Sequence, residues 1–379
     1  MKTIMHLAVL VSLTIMSHAL FAQEQKPQSE FDFNLYRTVV KNEPDKNIAV
    51  SPYGVQKLLD LVRYGAAGET KTEIEQVLGY TQPVKWETRS DSTLSLAAAL
   101  WAQQGFSILP EFRRTARDNF GSTIEQVDFA RNPGEALRRI NKWCSDNTKG
   151  KIPSLFDSIN PQTRLVLANA IYFAADWQTP FNARETQDDD FTLQDGTKVK
   201  TKIMGSFGKR WKYGEYGETL SLELPYKVAG YAMVLLMPQN PEDFAKWELA
   251  MTAEEFALIR RSMETQLVSI RMPKFTMEAE ISLNDTLKQL GMPSAFDAVK
   301  ADFSKINATE PLYVSEALQK TFVKVDELGT EAAAVTTTRM VLTAPFNPSK
   351  PKLFDADRPF LYAMMKGDTI LFLGRFVKP

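Results

Sequence analysis

Between the strand-like run "ALQKTFVKVDE" and the next strand signal at Pro359, the chain reads "DELGTEAAAVTTTRMVLTAPFNPSKPKLF" from Asp326 to Phe354. Such a row of Ala and Thr, with almost no core-forming side chain, is well beyond the common connection of roughly 2 to 6 residues. With the period of two of an extended chain, Thr330, Ala332, Ala334, Thr336 and Thr338 fall on one side. Glu331, Ala333, Val335, Thr337 and Arg339 fall on the other. The first set is uniformly small and the second carries the charges. As a strand inside a sheet, the segment turns one face over a packed core and the other to water. Two other readings stay open on pattern alone. Thr330 could cap a helix, which the β-branched run from Thr336 to Thr338 opposes, or the whole segment is a flexible linker.

The rest of the chain is built for burial. Of 379 residues, 44% are hydrophobic and 11% aromatic, enough for a sizeable core. Lys plus Arg number 45 against 46 Asp plus Glu, so the net charge of −1 exerts no general pull toward nucleic acid or an anionic membrane. The first residues, "MKTIMHLAVLVSLTIMSHALFAQ", have the layout of a secretory signal peptide over 1–22, cut after Ala22 or after Ala19. The expected location is therefore secreted, periplasmic or extracellular. Either cut removes His6 and His18, the only two histidines. A Ser/His/Asp or Cys/His nucleophilic site and a histidine-ligated zinc are thereby excluded from the mature chain. The sole cysteine, Cys144, forms no internal disulfide and reads as helix packing. No GK[ST] phosphate loop, GxGxxG or GxSxG is present. The acidic run Asp188 to Asp190 reads as a solvated loop.

Local signals order the chain into one mixed α+β domain over 23–379. Ser51 as cap, Pro52 at the first helical position and the stripe Val55, Leu58, Leu59 and Val62 predict a helix. Thr70 and Glu73 are spaced as a capping box before Ile74, Val77 and Leu78. A further helix is expected in "NPGEALRRINKWCSDNTKGK". Strand-like runs are "TRLVLANAIYFAADW", "TLSLELPYK", "GYAMVLLMP", "QLVSIRMPKF" and "DTILFLGRFV".

From about Phe31 to the last residue, the sequence resembles the serpin family. The resemblance rests on "NIAVSPYGV", "GAAGETKTEIEQVLGY", "NKWCSDNTKGKI", "LANAIYFAADW", "LKQLGMPSAF", "DELGTEAAAVTTT" and "ADRPFLYAMM" followed by "ILFLGRFVKP", in the family's order. It implies three β-sheets surrounded by about eight or nine helices, with an exposed reactive loop at about 327–352. It also implies a suicide inhibitor of serine proteases, with cysteine proteases as a second class, and not an enzyme. The protease attacks one loop carbonyl, forms an acyl-enzyme, and is trapped when the severed loop enters the central sheet. No cofactor or metal is implied, and the expected partner is the protease in a covalent complex with a monomer. The competing class is a serpin-fold carrier or chaperone that does not inhibit. A hinge without proline, and with no large or charged residue from Thr330 to Thr338 on the inward side, favours inhibition.

Residue by residue, the resemblance places the hinge at Glu327, Gly329, Thr330, Glu331, Ala332, Ala333 and Ala334. Counting fourteen residues on from Gly329 puts the reactive bond between Thr343 and Ala344, with Leu342 as runner-up. The small apolar setting "MVLTAP" suits an elastase-like or subtilisin-like pocket. Glu327 and Lys274 correspond to a pair at the top of the sheet, Trp177 to an aromatic beneath it, and Ser51 and Asn169 to a polar cluster under the middle strands. Here Gln319 stands where the family usually has histidine, and Gly54 where it often has serine. Between Tyr80 and Leu94 only "TQPVKWETRSDST" remains where the family carries a further helix, so activation by a polyanion is not expected. Export without disulfides, with this form of leader, suggests a bacterial source.

Overall fold

The structure, a computed structural model, describes residues 29–86, 93–330 and 350–379. The leader 1–22, the hinge residues Glu331, Ala332, Ala333 and Ala334, and the bond at Leu342, Thr343 and Ala344 lie outside the described residues. Eight α-helices are present among them: α1 (Glu30–Asn42), α2 (Pro52–Gly65), α3 (Gly68–Leu78), α4 (Pro110–Phe120), α5 (Pro133–Asn147), α6 (Phe244–Ala250), α7 (Ala253–Ser262) and α8 (Leu283–Leu290). The strands are β1 (Ile48–Val50), β2 (Leu94–Gln103), β3 (Thr123–Val127), β4 (Leu165–Phe173), β5 (Ala175–Asp176), β6 (Gln187–Thr192), β7 (Lys198–Tyr216) and β8 (Thr219–Pro225). They continue with β9 (Tyr231–Pro238), β10 (Glu264–Pro273), β11 (Phe275–Ser282), β12 (Val314–Val325), β13 (Gly329–Thr330), β14 (Lys352–Asp355), β15 (Phe360–Lys366) and β16 (Thr369–Phe376).

One sheet runs β3-β2-β4-β12-β13-β5, with β11 on β12. The other runs β1-β16-β15-β9-β8-β7-β10-β14, with β6 on β7. The three expected sheets become two hydrogen-bonded networks because β7, 19 residues long, pairs with β10 over most of its length and with β8 at its end. Three apolar clusters fill the layers. One joins the helices to one face of the larger sheet, one lies between the two sheets, and one packs α5 onto β2, β4 and β12. Every residue of β4 is buried, which explains its unbroken apolar run.

Ser51 caps α2 as expected, its Oγ accepting from the Gly54 N–H at 3.1 Å. Thr70 does not cap α3, which begins at Gly68 after Ala67. Its buried hydroxyl instead accepts from the Asp302 N–H and lies 3.1 Å from the Ser294 hydroxyl, which gives its proton to the Glu73 carboxylate at 2.6 Å beside the Ser294 N–H. The pair with capping-box spacing thus fastens α3 to a distant turn. Residues 188–190 are not loop either: they lie in β6, with Asp188 and Asp190 paired to Lys202 and Lys200 of β7. The opening stretch also contains a strand, β14, four residues long and paired in parallel with β10. Cys144 is wholly buried in α5, where burial pushes its thiol up to about 12. Next to the shortened region, Trp86 is buried against Tyr53 and donates its indole N–H to Asp60 at 2.7 Å.

Candidate functional site: a seam in the central sheet

Strands β4 and β12 run parallel and side by side, from Leu165 opposite Val314 to Tyr172 opposite Phe322. Carrying that register three residues further would set Ala175 against Val325. Instead Thr330 occupies the gap, pairing antiparallel with Val325 on one side and Ala175 on the other. The top of the seam is therefore wider by one strand, about 4.8 Å. The two residues that fill it begin the Ala/Thr-rich segment.

This seat is made for these side chains. Gly329 passes so close to β5 that a Cβ there would lie 2.2 Å from the Ala175 carbonyl oxygen, so only glycine fits. Thr330 is fully buried, and its Oγ1 lies 2.7 Å from the Tyr226 hydroxyl. Burial drives the Tyr226 hydroxyl well above the usual tyrosine range, so it stays neutral and able to hydrogen-bond. Trp177 stacks on Tyr226 with ring centroids 4.5 Å apart and planes 11° apart, and its indole donates to the Asp326 carbonyl. The Asp326 carboxylate accepts from the N–H groups of Leu328 and Gly329, turning the chain back into the sheet.

Glu327 and Lys274 meet at the rim, with Nζ 3.3 Å from Oε2. The Thr186 hydroxyl donates to the same carboxylate at 2.8 Å, and the Glu327 carbonyl takes the Phe181 N–H. Partial burial alone would raise the Glu327 carboxyl. Its own backbone N–H, Thr186 and Lys274 outweigh that and hold it below the usual range. Glu327, Lys274, Trp177, Gly329 and Thr330, expected from the sequence, lie together here, joined by Tyr226, Thr186 and Asp326, which were not expected. Asp326 in "VDELG" offered the one usable signal, an Asp two and three residues before N–H groups it can bind.

Midway down the seam lies a polar cluster with no ionisable member. Gln319 of β12 donates to Asn169 Oδ1 of β4 at 2.7 Å and to the Ser51 carbonyl, and accepts from the Ser51 N–H. Asn169 donates to the Ala97 carbonyl, and Ser51 Oγ to the Leu371 carbonyl. Both amide protons and the carbonyl oxygen of Gln319 are thus satisfied. Gly54 is explained by the same packing: a Cβ there would lie 2.4 Å from Ile171 Cδ1 and 2.5 Å from Asn169 Oδ1. The Gln319–Asn169 bond crosses the seam, so any strand entering between β4 and β12 must break it.

Residues 26–379 match the family model described as serpin (serine protease inhibitor). An uncharacterized serpin-like protein of Thermococcus kodakarensis is 33% identical, with 93% of this chain and 84% of that protein covered. The leukocyte elastase inhibitor of Homo sapiens is 31% identical, over 94% of this chain and all of that one. Human thyroxine-binding globulin, solved in complex with thyroxine, superposes with a TM-score of 0.84 at 27% identity, over 93% of this chain and 97% of that chain.

Proposed function

The chain belongs to the serpin family, and from that membership we propose that it inhibits serine proteases by trapping their acyl-enzyme. The observation that carries the reading is the double pairing of Thr330 at the head of a parallel seam. A strand continuing from Thr330 between β12 and β4 runs antiparallel to both. Its alternate residues Ala332, Ala334, Thr336 and Thr338 then share the buried face of Thr330, and all are small. Cleavage between Thr343 and Ala344 frees fifteen residues from Gly329, which span about 50 Å at roughly 3.3 Å each. That length carries an attached enzyme across the domain. Displacing its catalytic groups by about 1 Å costs on the order of a hundredfold in rate, enough to hold the acyl-enzyme.

Insertion gains about 0.5–1.5 kcal/mol per backbone hydrogen bond and costs about 1–2 kcal/mol per ordered residue. These nearly cancel, so the surplus comes from filling a sheet that starts one strand short, and the intact state is held kinetically. Elastase-like or subtilisin-like targets suit the small residues at the proposed bond. We extend the proposal to export of a monomer through cleavage of the leader after Ala19 or Ala22, supported by the apolar run and the small Ser17 and Ala19 that follow it.

Incubation with pancreatic elastase and with subtilisin should give an adduct that survives boiling in detergent, with the new terminus at Ala344 by mass spectrometry. The clipped protein should also resist heat far better than the intact one. Clipping with no thermal gain would overturn the proposal. The likeness to thyroxine-binding globulin favours a second reading, a carrier. It predicts a loop that is cut without an adduct.

A further inference from the structure

Helix α5 lies beside the β3 edge of the smaller sheet, and a groove of about 470 Å³ is lined by residues of both. That volume is within the range of about 300–1,000 Å³ common for small-molecule sites. Trp101 of β2 and Trp143 of α5 form its aromatic part, with ring centroids 6.3 Å apart and planes at 80°. Trp143 is half-buried. Trp101 is buried, yet its indole N–H has no hydrogen-bond acceptor among the described residues. A buried donor left unpaired costs free energy, and folded proteins carry few of them.

Around the two rings the charged side chains come in opposite pairs. Glu125 is the register partner of Trp101 on β3, so the two share a face of the sheet. It binds the Arg139 guanidinium, which lies over the Trp101 ring at 5.9 Å from its centroid. Along α5, Glu135, Arg138, Lys142 and Asp146 follow at helical spacing and make one stripe. Arg138 binds Glu135 at 2.6 Å, and Lys142 binds Asp146 at 2.8 Å. Three cations are thus matched by three carboxylates, and the groove has no net charge with which to select an ion.

What these groups offer instead is a close alternation of hydrogen-bond donors and acceptors beside aromatic surface. A pyranose ring matches it. Each hydroxyl both donates and accepts, adjacent hydroxyls fit the fork of a carboxylate or a guanidinium, and the C–H face of the ring packs on an indole. We propose that the groove between α5 and the β2–β3 edge binds a neutral oligosaccharide. Trp143 is its stacking wall, the Trp101 indole N–H donates to a sugar oxygen, and Arg138 and Asp146 hold ring hydroxyls. An anion would find the cations already neutralised and would meet three carboxylates. A purely apolar ligand would take the ion pairs out of water without replacing their hydration. The site neither needs nor touches the loop, so it stands apart from the inhibitory reading.

The test follows the Trp101 indole N–H resonance of the isotope-labelled protein, assigned by its loss in Trp101→Phe. Maltotriose, cellotriose and triacetylchitotriose are each titrated to about 10 mM, ten times a dissociation constant of about 1 mM. At least one should move that resonance downfield to saturation and raise the thermal midpoint as its concentration rises. By calorimetry, Trp101→Phe should weaken binding about three- to tenfold, the loss of one hydrogen bond. Trp143→Ala should abolish it. Arg138→Ala/Asp146→Ala, confined to the exposed surface of α5 where folding is not at stake, should weaken it at least about tenfold. Affinity should hold as salt rises from about 0.05 to about 0.5 M. No movement of the resonance with any of the three sugars, or binding unchanged by Trp143→Ala and by Arg138→Ala/Asp146→Ala, would overturn the inference. Equal binding of sucrose octasulfate, or a steep loss of affinity with salt, would overturn it too.

Discussion

The hydroxyls of Tyr226 and Thr330 meet at 2.7 Å inside the protein, joining the larger sheet to the first residues of the loop. Tyr226 is held from behind by Trp177. Gly329 and Thr330 are therefore fastened within the sheet, between β12 and β5.

Removing the Tyr226 hydroxyl leaves Thr330 Oγ1 buried without its partner. Tyr226→Phe should destabilise the seated hinge by about 1–3 kcal/mol. Amide hydrogen exchange at Gly329 and Thr330 should speed up accordingly, while exchange in β4 stays as it was. Unchanged exchange at the hinge would contradict the seating described here.

Thr330→Arg puts a long cation into a site with no exposed surface. The hinge should be expelled and insertion slowed, so the variant should be consumed as a substrate. The measurement is inhibition stoichiometry, expected to rise severalfold over wild type.

Glu327 is held below the ordinary glutamate range near 4.3. A lowered folded-state value stabilises above the unfolded value and is lost as pH falls through the folded one. The thermal midpoint should therefore drop below about pH 4, and Glu327→Gln should flatten that part of the profile. Parallel profiles for the two proteins would count against the clamp.

The cluster of Ser51, Asn169 and Gln319 has nothing to titrate, so the seam should behave alike from about pH 5.5 to 8. Gln319→His introduces a buried imidazole whose neutral form is favoured, and its stability should fall as pH drops below about 6.5. Gly54→Ser collides with Ile171 and Asn169 and should cost about 1–3 kcal/mol by thermal or denaturant unfolding.

Beneath the larger sheet, Glu248 is buried between Arg375 at 2.9 Å and the Tyr36 hydroxyl, while Arg375 also reaches the carbonyls of Glu43, Pro44 and Lys46. Glu248→Ala strands that guanidinium and should cost about 3–5 kcal/mol in denaturant unfolding. Inhibition by the fraction that remains folded should be unaffected.

What could be read from the residues alone follows the range of the forces involved. The start of α2 was legible because Ser51, Pro52 and an apolar stripe act within a few residues. Thr70 had the spacing of a cap, yet a partner more than 220 positions away claimed it. Strand β14 escaped notice because an edge strand of four residues carries no period of its own. Glu327, Lys274, Trp177, Gly329 and Thr330 were expected from family resemblance, not from any pattern in the residues around them. Tyr226 lay unmarked in "ELPYK", since nothing nearby records that its hydroxyl meets a loop residue 104 positions on.

The seam is open at one end only. Below Tyr172 and Phe322 it is laced shut by backbone bonds and by Gln319 to Asn169, while at its head Gly329 and Thr330 are already threaded. Like a zip with its slider parked at the top, it can part in only one direction. Thr330 already sets the register of any strand that follows it, against Val325 and Ala175, so on the inhibitory proposal closure should run without a lag once the chain is severed.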